Sequence, residues 1–309
     1  MWSAMERTRL IPGMAGSLDA LMGRLQRGYG DPTLRRLSGR WWRTSTTPEG
    51  PALVSLVTEG DAVRATGVGD GARWALEQVD GLVGARDHPG DFVTDHPVLW
   101  PGLRRGEVRL SATGMLAEAL APNVIEQKVT GAEAFTSFRR LVRRFGTRPP
   151  GAESVDHPAH RMACPPDAAG WARIPIWEFL QAGVEERRAS TVHRVMMKVP
   201  SIERALGADR DGEKLERLVR SVPGIGPWTA AKVRQQVLGD ADAWSIDDYH
   251  VPGLVVHHLG GENASVVLEE FRPHRYRVEL VLLRLGMPER HGARRTLPTH
   301  LPVRGGWRG

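Results

Sequence analysis

The fold is decided by LERLVRSVPGIGPWTAAKVRQQVLGDADAWSIDDYHVP, residues 215–252. An amphipathic helical run ends near Val222 and is followed by Pro-Gly-Ile-Gly-Pro. Two glycines two apart allow a tight hairpin and a close approach of backbone to another molecule. Pro227 suits the first position of a second helix. The free amides at that helix start form an anion site fit for a phosphate. Helix, G-x-G hairpin, helix is therefore a compact grip on a nucleic-acid backbone that reads no bases. Downstream, Asp247 and Asp248 precede another apolar helical run. An isolated Asp-Asp there most often caps the helix.

Around this stretch the chain changes texture. From Met115 onward it reads as helices joined by short loops, among them a run at 115–130 with a kink expected at Pro122 and a strongly amphipathic run at 132–145. The last helical run covers 276–285. The first hundred residues read as mixed α and β. A helix is expected at 18–28. Two β-like runs at 52–60 and 62–69 meet at Gly60-Asp61, a hairpin signal, and 72–81 looks helical. Trp41 and Trp42 read as N-terminal core. The fold class is thus α+β: a small N-terminal α/β domain with an antiparallel sheet at 1–105, a mostly helical unit at 106–290, and a basic, partly ordered tail at 291–309.

Composition narrows the partner. The net charge is +6, and arginine makes up all but four of the 42 basic residues. A basic chain suits a polyanion, because neutralising phosphates releases condensed counterions. One cysteine, Cys164, excludes an intrachain disulfide and a thiolate-held zinc site or iron–sulfur cluster; it reads as an inert small residue. No run approaches the roughly 18 apolar residues of a membrane helix, and the N-terminus carries no apolar block behind a basic start. A cytoplasmic protein is expected.

The hairpin together with an Asp twenty residues after the Trp of G-I-G-P-W-T-A resembles the helix-hairpin-helix DNA glycosylases, and most of all their DNA-3-methyladenine glycosylase II branch. ALAPNVIEQKVTGAEA, residues 119–134, is similar to that family's helix and Gln-containing turn. FRPHRYRVELVLLRLG, residues 271–286, is similar to its last core helix. The resemblance implies that Asp248 is the catalytic carboxylate, reversing the capping reading. It would stabilise positive charge building on the sugar as the glycosidic bond breaks. The base would first be flipped out of double-stranded DNA into a pocket. Bifunctional members carry a nucleophilic lysine where this chain has Trp228, so a monofunctional enzyme is implied, acting as a monomer on a damaged, alkylated purine.

The same resemblance assigns Gly224, Gly226 and Thr229 to the phosphate grip, and Gln127 and Lys128 to the position that fills the gap left by the flipped base. Trp228, Lys232, Tyr249 and Leu283 fall at the base pocket. It also implies a sodium or potassium ion on the backbone carbonyls of Arg220, Val222 and Ile225, with no other cofactor required. Three positions depart from the pattern. Lys128 stands where an apolar wedge is usual, and Lys232 and Leu283 stand where pocket aromatics are expected. Lys232 lies one helical turn from the lyase position, so an amine role for it stays in view. Two rivals remain: a glycosylase for oxidised or deaminated bases, and a non-catalytic DNA-binding protein in which Asp248 only caps a helix. A pure binder has no need of an Asp at that spacing.

Overall fold

The computed structural model describes residues 7–288; the tail expected at 291–309 lies outside them. Five strands, β1 (Arg7–Ile11), β2 (Leu34–Leu37), β3 (Arg40–Thr47), β4 (Gly50–Glu59) and β5 (Ala62–Val68), form one antiparallel sheet in the order β1-β5-β4-β3-β2. The expected hairpin is β4–β5, with Glu59 opposite Ala62 and Gly60 in a left-handed conformation at the turn. β1, β2 and β3 were not read from sequence. The two tryptophans lie in β3, where Trp41 faces Leu56 and its indole N–H donates to Asp19 at 2.7 Å. β4 is buried continuously from Ala52 to Leu56 because both sheet faces are covered there. One face meets the apolar residues of the short helices below. The other meets Ala152, Ala159 and Met162 of the loop between 147 and 164.

The helices are α1 (Leu18–Leu25), α2 (Ala72–Glu77), α3 (Val79–Leu82), α4 (Trp100–Leu103), α5 (Leu116–Ile125), α6 (Gly131–Phe145), α7 (Ala168–Arg173), α8 (Ile176–Ala182), α9 (Glu186–Leu206), α10 (Gly212–Arg220), α11 (Pro227–Leu238), α12 (Val251–Leu259), α13 (Ala264–Leu268) and α14 (Arg275–Leu285). Among the described residues none is long and apolar enough to cross a membrane. α5 is the buried axis, packed between α9 and α11 in one continuous apolar core. It ends at Ile125, five residues before the expected end. The cause is local. Lys128 takes a left-handed φ of 58°, and Thr130 then starts α6 with a capping box, exchanging hydrogen bonds with Glu133.

A third core joins α12, α13 and α14 to Leu99, Val108 and Leu110. It is pinned by the buried Arg277, whose guanidinium donates to both oxygens of Asp87, at 3.0 and 2.7 Å. The sheet is tied to the helices through Arg43 and Glu118 at 2.8 Å. Cys164 is buried, and burial pushes its thiol up to about 12; that is a structural cysteine, not a reactive one.

Candidate active site and nucleic-acid interface

The hairpin forms as its sequence requires. α10 ends at Arg220, and the Ile225 amide donates to the Val222 carbonyl at 3.1 Å to close the turn. Gly224 sits at φ 100°, and a Cβ there would come within 2.4 Å of the Thr191 hydroxyl on α9. No other residue fits. Gly226, by contrast, has open space around it and precedes Pro227 at the first position of α11. Its openness leaves the approach to the helix start clear, as a backbone grip on phosphate needs.

Gln127 joins two parts of this surface. Its side-chain amide donates to the Gly224 carbonyl at 3.0 Å and to the Thr229 hydroxyl at 2.8 Å. The turn carrying exposed Lys128 is thereby tied to the hairpin. Thr229 is only 2% exposed. Its hydroxyl is turned into the protein toward Gln127, so it supports the grip from behind. Arg188 of α9 is buried and donates to the Ile125 carbonyl at the end of α5.

Asp248 is half-buried on the loop between α11 and α12. Asp247 before it adopts a left-handed φ of 61°, which aspartate tolerates better than most residues. The loop is fastened from two sides. Buried Glu279 of α14 accepts from the Ser245 amide at 2.7 Å and its hydroxyl at 2.8 Å. Gln235 of α11 donates to the Ala243 carbonyl at 2.6 Å and to Ser245 at 3.1 Å. The Asp248 amide then donates to the Ser245 carbonyl at 3.2 Å.

The carboxylate has two jobs. Oδ1 accepts from the amides of His250 at 2.8 Å and Val251 at 3.3 Å, capping α12. Oδ2 accepts the indole N–H of Trp228 at 2.8 Å. Burial alone would raise this carboxyl. The His250 amide, the Trp228 indole, the Lys232 ammonium and the Val251 amide outweigh it and hold the group below the usual aspartate range. It is an anion at neutral pH, oriented and aimed.

The residues expected around a base pocket do not all converge. The Lys232 ammonium lies 5.9 Å from the centre of the Trp228 ring, so Trp228, Lys232 and Asp248 form one cluster. Tyr249 is 77% exposed and Leu283 42%. A cavity of about 160 Å³ lies beside Lys232, and neither of those two lines it. Its polar lining includes Arg27, Ser111, Asn123, Glu126 and, from α14, Tyr276. The sequence reading missed these. Asn123 and Glu126 fall inside the quoted 119–134 stretch, and a polar Asn in the apolar run LAEALAPNVI was a usable signal. Burial pushes the Glu126 carboxyl up, against the pull of Arg27 and Lys232.

The implied cation ligands Arg220, Val222 and Ile225 lie at the end of α10 and in the turn. The Val222 carbonyl already accepts one amide, but a carbonyl oxygen keeps a second lone pair.

No protein-family model and no curated protein matches the sequence. Solved structures do match in fold. The 3-methyladenine DNA-glycosylase of Archaeoglobus fulgidus superposes with a TM-score of 0.70 over 92% of this chain and 98% of that one, at 19% identity. The Clostridium acetobutylicum 8-oxoguanine glycosylase/lyase, in complex with double-stranded DNA containing cytosine opposite 8-oxoguanine, gives 0.67 over 92% and 97%, at 10% identity. The chain therefore shares the α+β fold of these two DNA glycosylases. At such identities the likeness is one of fold, shared by enzymes named for different bases.

Proposed function

We propose that the protein is a monofunctional DNA glycosylase of base excision repair that binds double-stranded DNA as a monomer and hydrolyses the N-glycosidic bond of a flipped, damaged purine. The observation that supports this most is the Asp248 carboxylate, held ionised by Trp228 and its own cap beside the hairpin. The hairpin amides and the start of α11 grip phosphate, Lys128 fills the gap left by the flipped base, and a sodium or potassium ion on the Arg220, Val222 and Ile225 carbonyls stiffens the turn. The C1′–N bond breaks with its electron pair leaving on the base. Asp248 stabilises the oxocarbenium-like sugar, water adds at C1′, and the proton it sheds ends on the departed base. Trp228 offers no amine for a Schiff base, so the product is an abasic site.

The resemblance to the 3-methyladenine branch favours an alkylated purine; the charges near Lys232 bear on that choice. The non-catalytic rival has one observation behind it, since Oδ1 does cap α12. Base release from duplexes carrying a panel of lesions separates the two. Asp248→Asn keeps a capping oxygen but loses the charge, and release is expected to fall by about 10²- to 10³-fold. Equal release by the variant removes Asp248 from the chemistry, and no release from any duplex by the wild type removes the enzyme.

A further inference from the structure

The cavity between α5 and α11 has features that the phosphate grip and Asp248 do not use. It holds about 160 Å³ and is open on one side, so it can take one edge of a purine, given that a closed engineered cavity of roughly 150 Å³ holds a whole benzene ring. Two of its lining side chains present buried polar atoms with no protein partner, Oδ1 of Asn123 and Oγ of Ser111. Asn123 is fully buried, and its orientation is set: Nδ2 donates to the Ala119 carbonyl at 2.8 Å, which leaves the acceptor end unused. Buried polar groups in native proteins are almost always paired, so unpaired ones beside a cavity mark a place for a polar ligand. Arg27 and Lys232 bring positive charge to the same lining, opposed by Glu126, whose Oε1 lies 3.6 Å from Nε of Arg27. Lys232 links the cavity to the carboxylate, since it lines the one, lies 5.9 Å from the centre of the Trp228 ring and bears electrostatically on the other.

We propose that Arg27, Asn123, Glu126 and Lys232 form a recognition pocket for an uncharged base with a carbonyl-and-N–H edge, and that the pocket disfavours cationic alkylated bases. This rests on the glycosylase reading. Asn123 Oδ1 and the Glu126 carboxyl accept from the base N–H groups. Lys232, Arg27 and the Ser111 hydroxyl donate to its carbonyl. The charge fits the chemistry as well. When the C1′–N bond of an uncharged base breaks, the electron pair makes the leaving base an anion until the proton from the attacking water reaches it. Lys232 and Arg27 stabilise that anion. A cationic base leaves neutral, gains nothing from them, and is repelled while still bound.

The test measures single-turnover base release from full duplexes carrying hypoxanthine, 8-oxoguanine or 7-methylguanine, each rate divided by the spontaneous rate of the same duplex. Wild type is expected to favour at least one uncharged base over 7-methylguanine by about tenfold or more, and Lys232→Met to move that ratio toward 7-methylguanine by a similar factor. A wild-type preference for 7-methylguanine, or a ratio that Lys232→Met leaves unchanged, overturns the proposal. Fluorescence anisotropy of the same duplexes provides a second reading that needs no turnover. If no base is released from any duplex, the glycosylase reading fails, while tighter binding to the uncharged lesions that is lost in Arg27→Met and Lys232→Met still supports the pocket. Equal binding to all three overturns it.

Discussion

The indole N–H of Trp228 donates to Oδ2 of Asp248 at 2.8 Å, across twenty residues of sequence. One residue lies in the first turn of α11 and the other on the loop before α12. The spacing that marks the motif is thus a physical bond, which holds one carboxylate oxygen while α12's amides hold the other.

That bond predicts a pH effect. Burial works to raise the Asp248 carboxyl, and the hydrogen bonds and Lys232 reverse it, so the folded-state pKa is depressed. A depressed group contributes stability above its unfolded pKa, and that contribution is lost as pH falls through the folded value. The acid limb of kcat/KM for base release lies accordingly below the usual aspartate range. Trp228→Phe removes one donor and keeps the ring, and the limb is expected to move up in pH. A limb that stays where it was would show that the indole does not tune the carboxylate.

The Lys232 ammonium lies 5.9 Å from the centre of the Trp228 ring. If the enzyme is monofunctional, borohydride traps no covalent protein–DNA complex and the strand stays uncut beside the abasic site. A trapped complex present in wild type and gone in Lys232→Ala would make the chemistry bifunctional.

How far the sequence could be read depended on how local each cause was. The hairpin was legible because two glycines and a proline act within five residues, and Gly224 then proves intolerant of any Cβ. The long helices were legible from their apolar periodicity. β4 and β5 were legible as a hairpin from their branched residues on either side of Gly60-Asp61, whereas β2 offers only LRRL. The cavity was the least legible part. Its Arg27 and Gln236 side chains meet at 3.1 Å across 209 residues, and no local pattern reports such a pairing.

Gln127 supports two acceptors at once, the Gly224 carbonyl and the buried Thr229 hydroxyl. Gln127→Ala leaves the Thr229 hydroxyl without this partner, at a cost of about 1–3 kcal/mol in urea unfolding. It also frees the Lys128 turn from the hairpin, so the affinity for duplex DNA is expected to fall along with stability. Loss of stability with unchanged affinity would mean that the two loops need no coupling to bind.

Lys128 holds a left-handed φ of 58° with no glycine to ease it, a conformation that costs a non-glycine residue roughly 1–2 kcal/mol. Glycine relieves that cost, though it returns about 0.5–1 kcal/mol through the more flexible unfolded chain. Lys128→Gly is therefore expected to leave unfolding stability unchanged or up to about 1.5 kcal/mol higher. If the lysine stem fills the space of the flipped base and its ammonium meets phosphate, the same variant binds damaged duplex more weakly, with a shallower dependence on salt. Unchanged affinity and salt slope in Lys128→Gly would leave the turn a purely structural one and return the gap-filling role to another residue.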